Sequence, residues 1–299
     1  MMKNQANVAK IRTLAFLVAA VWALGSTTPA LASTRHQWEA QVGQQEYQTL
    51  QRQGVILTQS PYYKILNPIA ARIAAIADKQ YSFPFHFFLV HMKQPNAFAV
   101  PGGNVYVTDS MMQFAQNKEE LAGVLCHETS HDIHHDVYNL TAKQQKISMV
   151  AGIADLLLGG GRNPIINSVL GIGANLESLK FSRTVEQNAD HKGAFTCAQA
   201  GIDPWGMVWL LTRFKDANMP SPPEFLSDHP GNVERIARLE TLFRDTPSVF
   251  ARFNPNISSA TPLTASGFRN QPALGQPSAQ HTPTPSSLCP PGWKFCLRY

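Results

Sequence analysis

His127-Glu128-Thr129-Ser130-His131 places two imidazoles four residues apart with a carboxylate beside the first. On a helix, residues i and i+4 differ by only about 40° in direction, so both rings face one point. Two neutral histidines so placed make half of a tetrahedral zinc site. Glu128, one residue along, is displaced too far to bind the metal yet near enough to take a proton from a water held there. A catalytic zinc needs a third protein ligand and an open position for that water.

The third ligand can be sought by spacing. The metzincin pattern requires Gly at 134 and His at 137, and the chain has His134 and Val137, which excludes that class. The gluzincin solution takes a Glu from a downstream helix, often with an acid four positions on, and Glu186-Gln187-Asn188-Ala189-Asp190 has that spacing. Glu186 would then ligate the metal, and Asp190 would accept a hydrogen bond from a ligand imidazole and fix its tautomer. A solvated acidic helix face is the plain alternative, and the HETSH run weighs against it. His134 and His135 continue one turn further and read as surface residues. Ser130 has neither a Ser/His/Asp spacing nor a GxSxG elbow to make it a nucleophile.

Several elements must position these residues. Arg35 to Gln53 is helix-compatible, and Tyr62 to Lys79 carries Ile65, Ile69, Ile73 and Ile76 at helical spacing. Phe83 to Met92 reads as a strand, and Ala97 to Thr108 as a hairpin bent at Pro101-Gly102-Gly103. Asn117-Lys118-Glu119-Glu120 resembles a capping box, with Asn117 as N-cap of a helix that runs through about Tyr138 and contains HETSH. Residues 147 to 176 are apolar and Gly-rich. Each half is shorter than the ~18 apolar residues a span needs, so they read as packing or lid helices, or ones that touch a membrane surface. Further helices are expected over Leu179 to Ala200 and Asn232 to Arg244.

The ends differ from this middle. Lys3, Lys10 and Arg12 precede an apolar run from Leu14 to Leu24 and then Ala30-Leu31-Ala32. That is the pattern of a removable signal peptide, cleaved after Ala32. Without its three basic residues the chain keeps 25 − 3 = 22 basic against 20 acidic groups, too weak a bias for nucleic acid. Residues 251 to 299 turn rich in Pro, Ser, Thr and Gln. There Pro290-Pro291-Gly292 favours a disulfide between Cys289 and Cys296 over free thiols. Cys126 and Cys197 each fall on a helix carrying expected ligands, and a bridge between them depends on how closely those helices approach.

Three stretches together resemble the metallopeptidase family of the CAAX prenyl protease, HtpX and BepA. They are His127 to His131, Ser182 to Asp190, and Asn96-Ala97-Phe98-Ala99-Val100-Pro101-Gly102-Gly103. Asp228-His229-Pro230 followed by Arg235 resembles that family's late segment. With the signal-peptide pattern and no long apolar span, the chain is similar to the periplasmic BepA-like and LoiP-like members, and it departs from BepA in showing no tetratricopeptide-repeat domain after the catalytic part. The resemblance implies that Asn96, Ala97, Phe98 and Ala99 lie on an edge strand that pairs with an extended substrate. It also implies that His229 can approach the zinc as a latch, and that Arg235 orients carboxylates or substrate. His229 and Arg235 are the candidates for oxyanion stabilisation.

The expected architecture is α+β and mainly helical: a gluzincin-type metallopeptidase domain over residues 33 to 250, with a small β-sheet beside the HExxH helix. One Zn2+ per chain is expected. The implied reaction is hydrolysis of peptide bonds in unfolded or misassembled envelope proteins in the periplasm. The competing reading is a zinc-latched chaperone or assembly factor that binds such proteins and rarely cuts them.

Overall fold

The computed structural model describes residues 34–144, 181–217, 224–230 and 232–263. The chain divides into two units, Met1–Trp38 and Glu39–Tyr299. Of the first, only the start of helix α1 (Arg35–Gln53) is described. Everything below concerns the second. The expected leader at 1–32, the segment 147–176 and the Cys289/Cys296 pair lie outside the described residues. Among the described residues, no helix is long and apolar enough to cross a membrane.

The fold is α+β and mainly helical. After α1 come α2 (Tyr63–Ala77), strands β1 (His86–Val90), β2 (Ala97–Val100) and β3 (Asn104–Thr108), and the short α3 (Asp109–Phe114). The helix bearing HETSH is α4 (Lys118–Ile133), followed by α5 (Arg183–Gln199), α6 (Trp205–Asp216), α7 (Glu224–Asp228), α8 (Asn232–Asp245) and α9 (Pro247–Phe250). The sheet order is β1-β3-β2, with β1 parallel and β2 antiparallel to β3. Residues Gly102 and Gly103 turn the β2–β3 hairpin at φ of 102° and 89°, where a side chain would be strained. The hairpin thus leaves β2 as an edge strand beside α4.

Helix α4 is the axis of the molecule, and every residue from Glu120 to Asp132 is buried. Its start follows the expected cap: Asn117 Oδ1 accepts from the Glu120 N–H at 2.7 Å. Glu120 reaches back to the Gln116 N–H at 2.9 Å. Its carboxylate is also gripped by Arg213 of α6, at 3.0 and 2.6 Å. Around α4 pack α2, α5, α6 and the hairpin. Close approach to α5 requires a missing side chain: a Cβ on Gly193 would stand 3.0 Å from the backbone of Cys126 and His127. Beside that contact a disulfide joins Cys126 to Cys197, the Cα atoms 5.8 Å apart.

Two expectations are corrected, and one helix had not been expected. Helix α4 does not run to Tyr138: His135 adopts φ 56°, the left-handed region, and a separate helical stretch covers residues 136–144. Helix α6 was not anticipated. Its residues from Gly206 to Leu211 are all buried, so it shows no polar face and no apolar stripe to read. The compact chain also continues past residue 250. Pro262 bridges Asn117, the Lys118 N–H donates to Thr261 O at 2.9 Å, and the Trp209 indole donates to Pro255 O at 3.1 Å.

Candidate metal centre

Helix α4 directs His127 and His131 to one side, α5 brings Glu186 to the same point from its first turn, and the residue after α7 adds His229. Their nearest ligand atoms all lie within 4.8 Å of one another, and all four residues are buried. Individual separations are tighter. His127 Nε2 is 3.1 Å from His131 Nε2, 3.4 Å from Glu186 Oε2 and 3.3 Å from His229 Nδ1. Glu186 Oε1 is 3.7 Å from His131 Nε2 and 3.0 Å from His229 Nδ1. Ligands about 2.0–2.1 Å from a tetrahedral zinc are about 3.3 Å apart, so the donors present fit that ion in both type and spacing.

Each ligand is oriented from behind. Asp190, one helical turn beyond Glu186, stands 3.0 Å from His127 Nδ1. His131 Nδ1 meets Asp136 Oδ2 at 2.9 Å, and its ring stacks on Phe181 at 4.4 Å between centroids. Phe225 of α7 stacks in turn on the His229 ring at 4.8 Å. Arg235 from α8 holds Asp190 with two bonds of 2.7 Å, Glu186 Oε2 at 3.1 Å and the His229 carbonyl at 3.2 Å. Burial opposes ionisation of both acids. For Asp190 the Arg235 guanidinium and then His127 outweigh it and hold the carboxyl down to about 2. Glu186 is likewise held well below the carboxylate range by His229 and His127. Both acids are therefore held in the charged form, the form in which a carboxylate can hold a metal or support an imidazole that does.

Glu128 faces the cluster from the hairpin side. Its Oε2 accepts from the Ala99 N–H at 3.1 Å. Oε1 is buried, makes no hydrogen bond among the described residues, and lies 3.5 Å from His229 Nε2. Beside it, Asp132 Oδ2 accepts from the Gly103 N–H at 3.1 Å, and Tyr81 Oη accepts from the Gly102 N–H at 3.1 Å. Two acceptors, Glu128 and Asp132, thus fasten the hairpin to the helix that carries both histidines, and Tyr81 holds its turn from the segment before β1.

The structure brings Glu128, His127, His131, Glu186, Asp190, His229 and Arg235 into one site, with Ala99 at its edge. His134 and His135 do not join it, and the His135 ring pairs instead with buried Glu39 at 2.7 Å. Sequence reasoning missed Asp136 and Phe181. Asp136 follows His131 by five residues, and on an unbroken helix it would point elsewhere; the break at His135 turns it back. Phe181 comes from before α5, where no spacing announces a contact with α4.

The model of peptidase family M48 matches residues 64–242. Among curated proteins, the chain is 30% identical over 182 residues to the beta-barrel assembly-enhancing protease of Yersinia pestis, covering 58% of this chain and 37% of that one. It is 27% identical over 209 residues to that of Escherichia coli, 67% and 42% of the two chains. Similarity extends to the mitochondrial metalloendopeptidase OMA1 of Schizosaccharomyces pombe, at 29% over 176 residues, 58% and 50% of the two. The chain spans half or less of the length of these relatives.

Proposed function

The chain belongs to peptidase family M48, and from that premise we propose that it is a zinc-dependent endopeptidase held latent by His229. One observation carries the reading: two imidazoles and a carboxylate converge at tetrahedral spacing, with Glu128 Oε1 buried and free of hydrogen bonds among the described residues beside them. His127, His131 and Glu186 would hold the ion, whose part when bound is to lower the pKa of water towards neutrality and polarise the peptide carbonyl.

The residues of the chain do the rest. Glu128 Oε1 takes the proton of the attacking water and passes it to the leaving amine. The Ala99 N–H holds Oε2, so Oε1 alone is presented to the reaction. Asp190 and Asp136 fix the two imidazoles so that Nε2 of each faces inward. Arg235 serves the carboxylates; its donors are committed to Asp190, Glu186 and the His229 carbonyl, which leaves little for an oxyanion. His229 Nδ1 stands where the fourth donor of a closed site would. His229 lies on the short segment between α7 and α8, and its displacement would open that position.

A protease named for enhancing β-barrel assembly is the relative in two of these matches. We extend that role here: the substrates are unfolded or misassembled envelope proteins, met in the periplasm. The test is cleavage of casein by the purified chain with zinc, comparing wild type, Glu128→Gln and His229→Ala. Cleavage that Glu128→Gln abolishes and His229→Ala accelerates supports both peptidase and latch. Zinc retention by all three without any cleavage would sink the peptidase and leave the binding-factor reading in its place.

A further inference from the structure

Four aromatic rings cross the sheet face that turns away from the core. Tyr47 of α1 meets Phe88 of β1 at 5.2 Å between centroids, Phe88 stacks on Tyr106 of β3 at 5.3 Å, and Tyr106 stacks on Phe98 of β2 at 5.1 Å. The last two pairs are near parallel, at 25° and 21°. The stacking follows the register: Phe88 and Phe98 are both the direct partners of Tyr106. The opposite face, with Phe87, Leu89, Ala97, Val105 and Val107, belongs to the core. Tyr106 is fully buried and Phe98 half-buried. The ladder therefore ends at Phe98, on the edge strand.

Among the described residues, no strand pairs with the outer edge of β2. The Thr108 N–H donates to Asn96 O, so Asn96, Phe98 and Val100 turn their backbone groups to β3, and Ala97 and Ala99 turn theirs outward. The outward Ala99 N–H is already bonded to Glu128, which sets this edge beside the reacting centre and leaves the Ala97 N–H and the Ala97 and Ala99 carbonyls to pair with an added strand. A strand added there lies about 4.8 Å away, with the side chain registered against Phe98 on the ladder face. The rungs already stand 5.1 to 5.3 Å apart.

Resting on the peptidase reading, we propose that Phe98 is a specificity-determining residue: it selects extended segments that carry an aromatic side chain at the position beside it, close to the cut. The aromatic residue becomes the fifth rung, and burial plus ring stacking favour it over alanine by about tenfold. Neighbouring substrate residues point to the other face and are not selected by the ladder.

The experiment walks one phenylalanine through a fluorogenic peptide otherwise made of Ala, Ser and Gly. Cleavage is read with His229→Ala, and binding by fluorescence anisotropy with the zinc-loaded Glu128→Gln/His229→Ala chain. One position should raise kcat/KM and tighten binding about tenfold over alanine. Adding Phe98→Leu should shrink both gains to about twofold, and Phe98→Tyr should keep them. Absence of any preferred position, or a preference that Phe98→Leu leaves intact, overturns the proposal. Should no peptide be cut while the binding step appears and depends on Phe98, the ladder stands and the peptidase reading falls; cleavage without preference gives the reverse.

Discussion

On the two flanks of α4, acids are buried to the same degree and held in opposite ways. Towards α5 and α8, Glu186 and Asp190 are 0% and 6% exposed and share the Arg235 guanidinium. Towards the hairpin, Asp132 is 2% exposed and is bonded to the Gly103 N–H. Burial and the nearby Glu39, Glu128 and Asp136 push its carboxyl well up, and that single amide does not offset them. Asp190, with an arginine in contact, goes down to about 2. The same side chain at the same depth is thus a charged support on one flank and a hydrogen-bond anchor on the other. The deciding factor is a cation from α8, a distant element.

Breaking the first flank should have the largest effect. Arg235→Leu leaves two buried carboxylates without their cation, so unfolding by urea should show a loss of about 3–5 kcal/mol, with zinc lost from the purified protein. Glu128→Gln keeps the charge pattern behind the ligands. Its zinc content should match wild type while casein cleavage falls by about 10²- to 10⁴-fold. Asp190→Asn and Asp136→Asn each loosen one imidazole, and chelator competition should read zinc affinity weaker by about 10- to 100-fold. An unchanged affinity in Asp136→Asn would mean that the break at His135 serves only the chain path. Asp132→Asn should matter least, within about 1 kcal/mol in urea unfolding, because Asn can still accept from the Gly103 N–H and brings no charge into a crowded acidic pocket. A loss there as large as that of Arg235→Leu would erase the contrast between the flanks.

Much of this was legible in the sequence because the signals are local. The i, i+4 histidines, the Glu186/Asp190 pair, the Asn117 cap and the Pro101-Gly102-Gly103 turn each occupy one or two helical turns or a single hairpin. Their geometry follows from backbone periodicity alone. Helix α6 escaped because burial on all sides removes the polar face that marks a helix. Asp136 escaped because its role depends on a left-handed residue at His135, a conformation that a histidine sequence does not announce.

By itself, the sequence pointed to the side chains that we propose hold a metal and activate its water: His127, His131 and Glu186 as donors and Glu128 as base. The family resemblance implied that His229 approaches the metal and that Arg235 orients carboxylates; the tertiary structure decided that His229 stands among the candidate donors, that Arg235 pairs with both acids behind them, and that Phe98 ends an aromatic ladder beside Ala99. The donor residues lie on helices whose periodicity fixes their direction. The other three depend on packing between segments far apart in the chain, and that is set by contacts such as the one Gly193 permits.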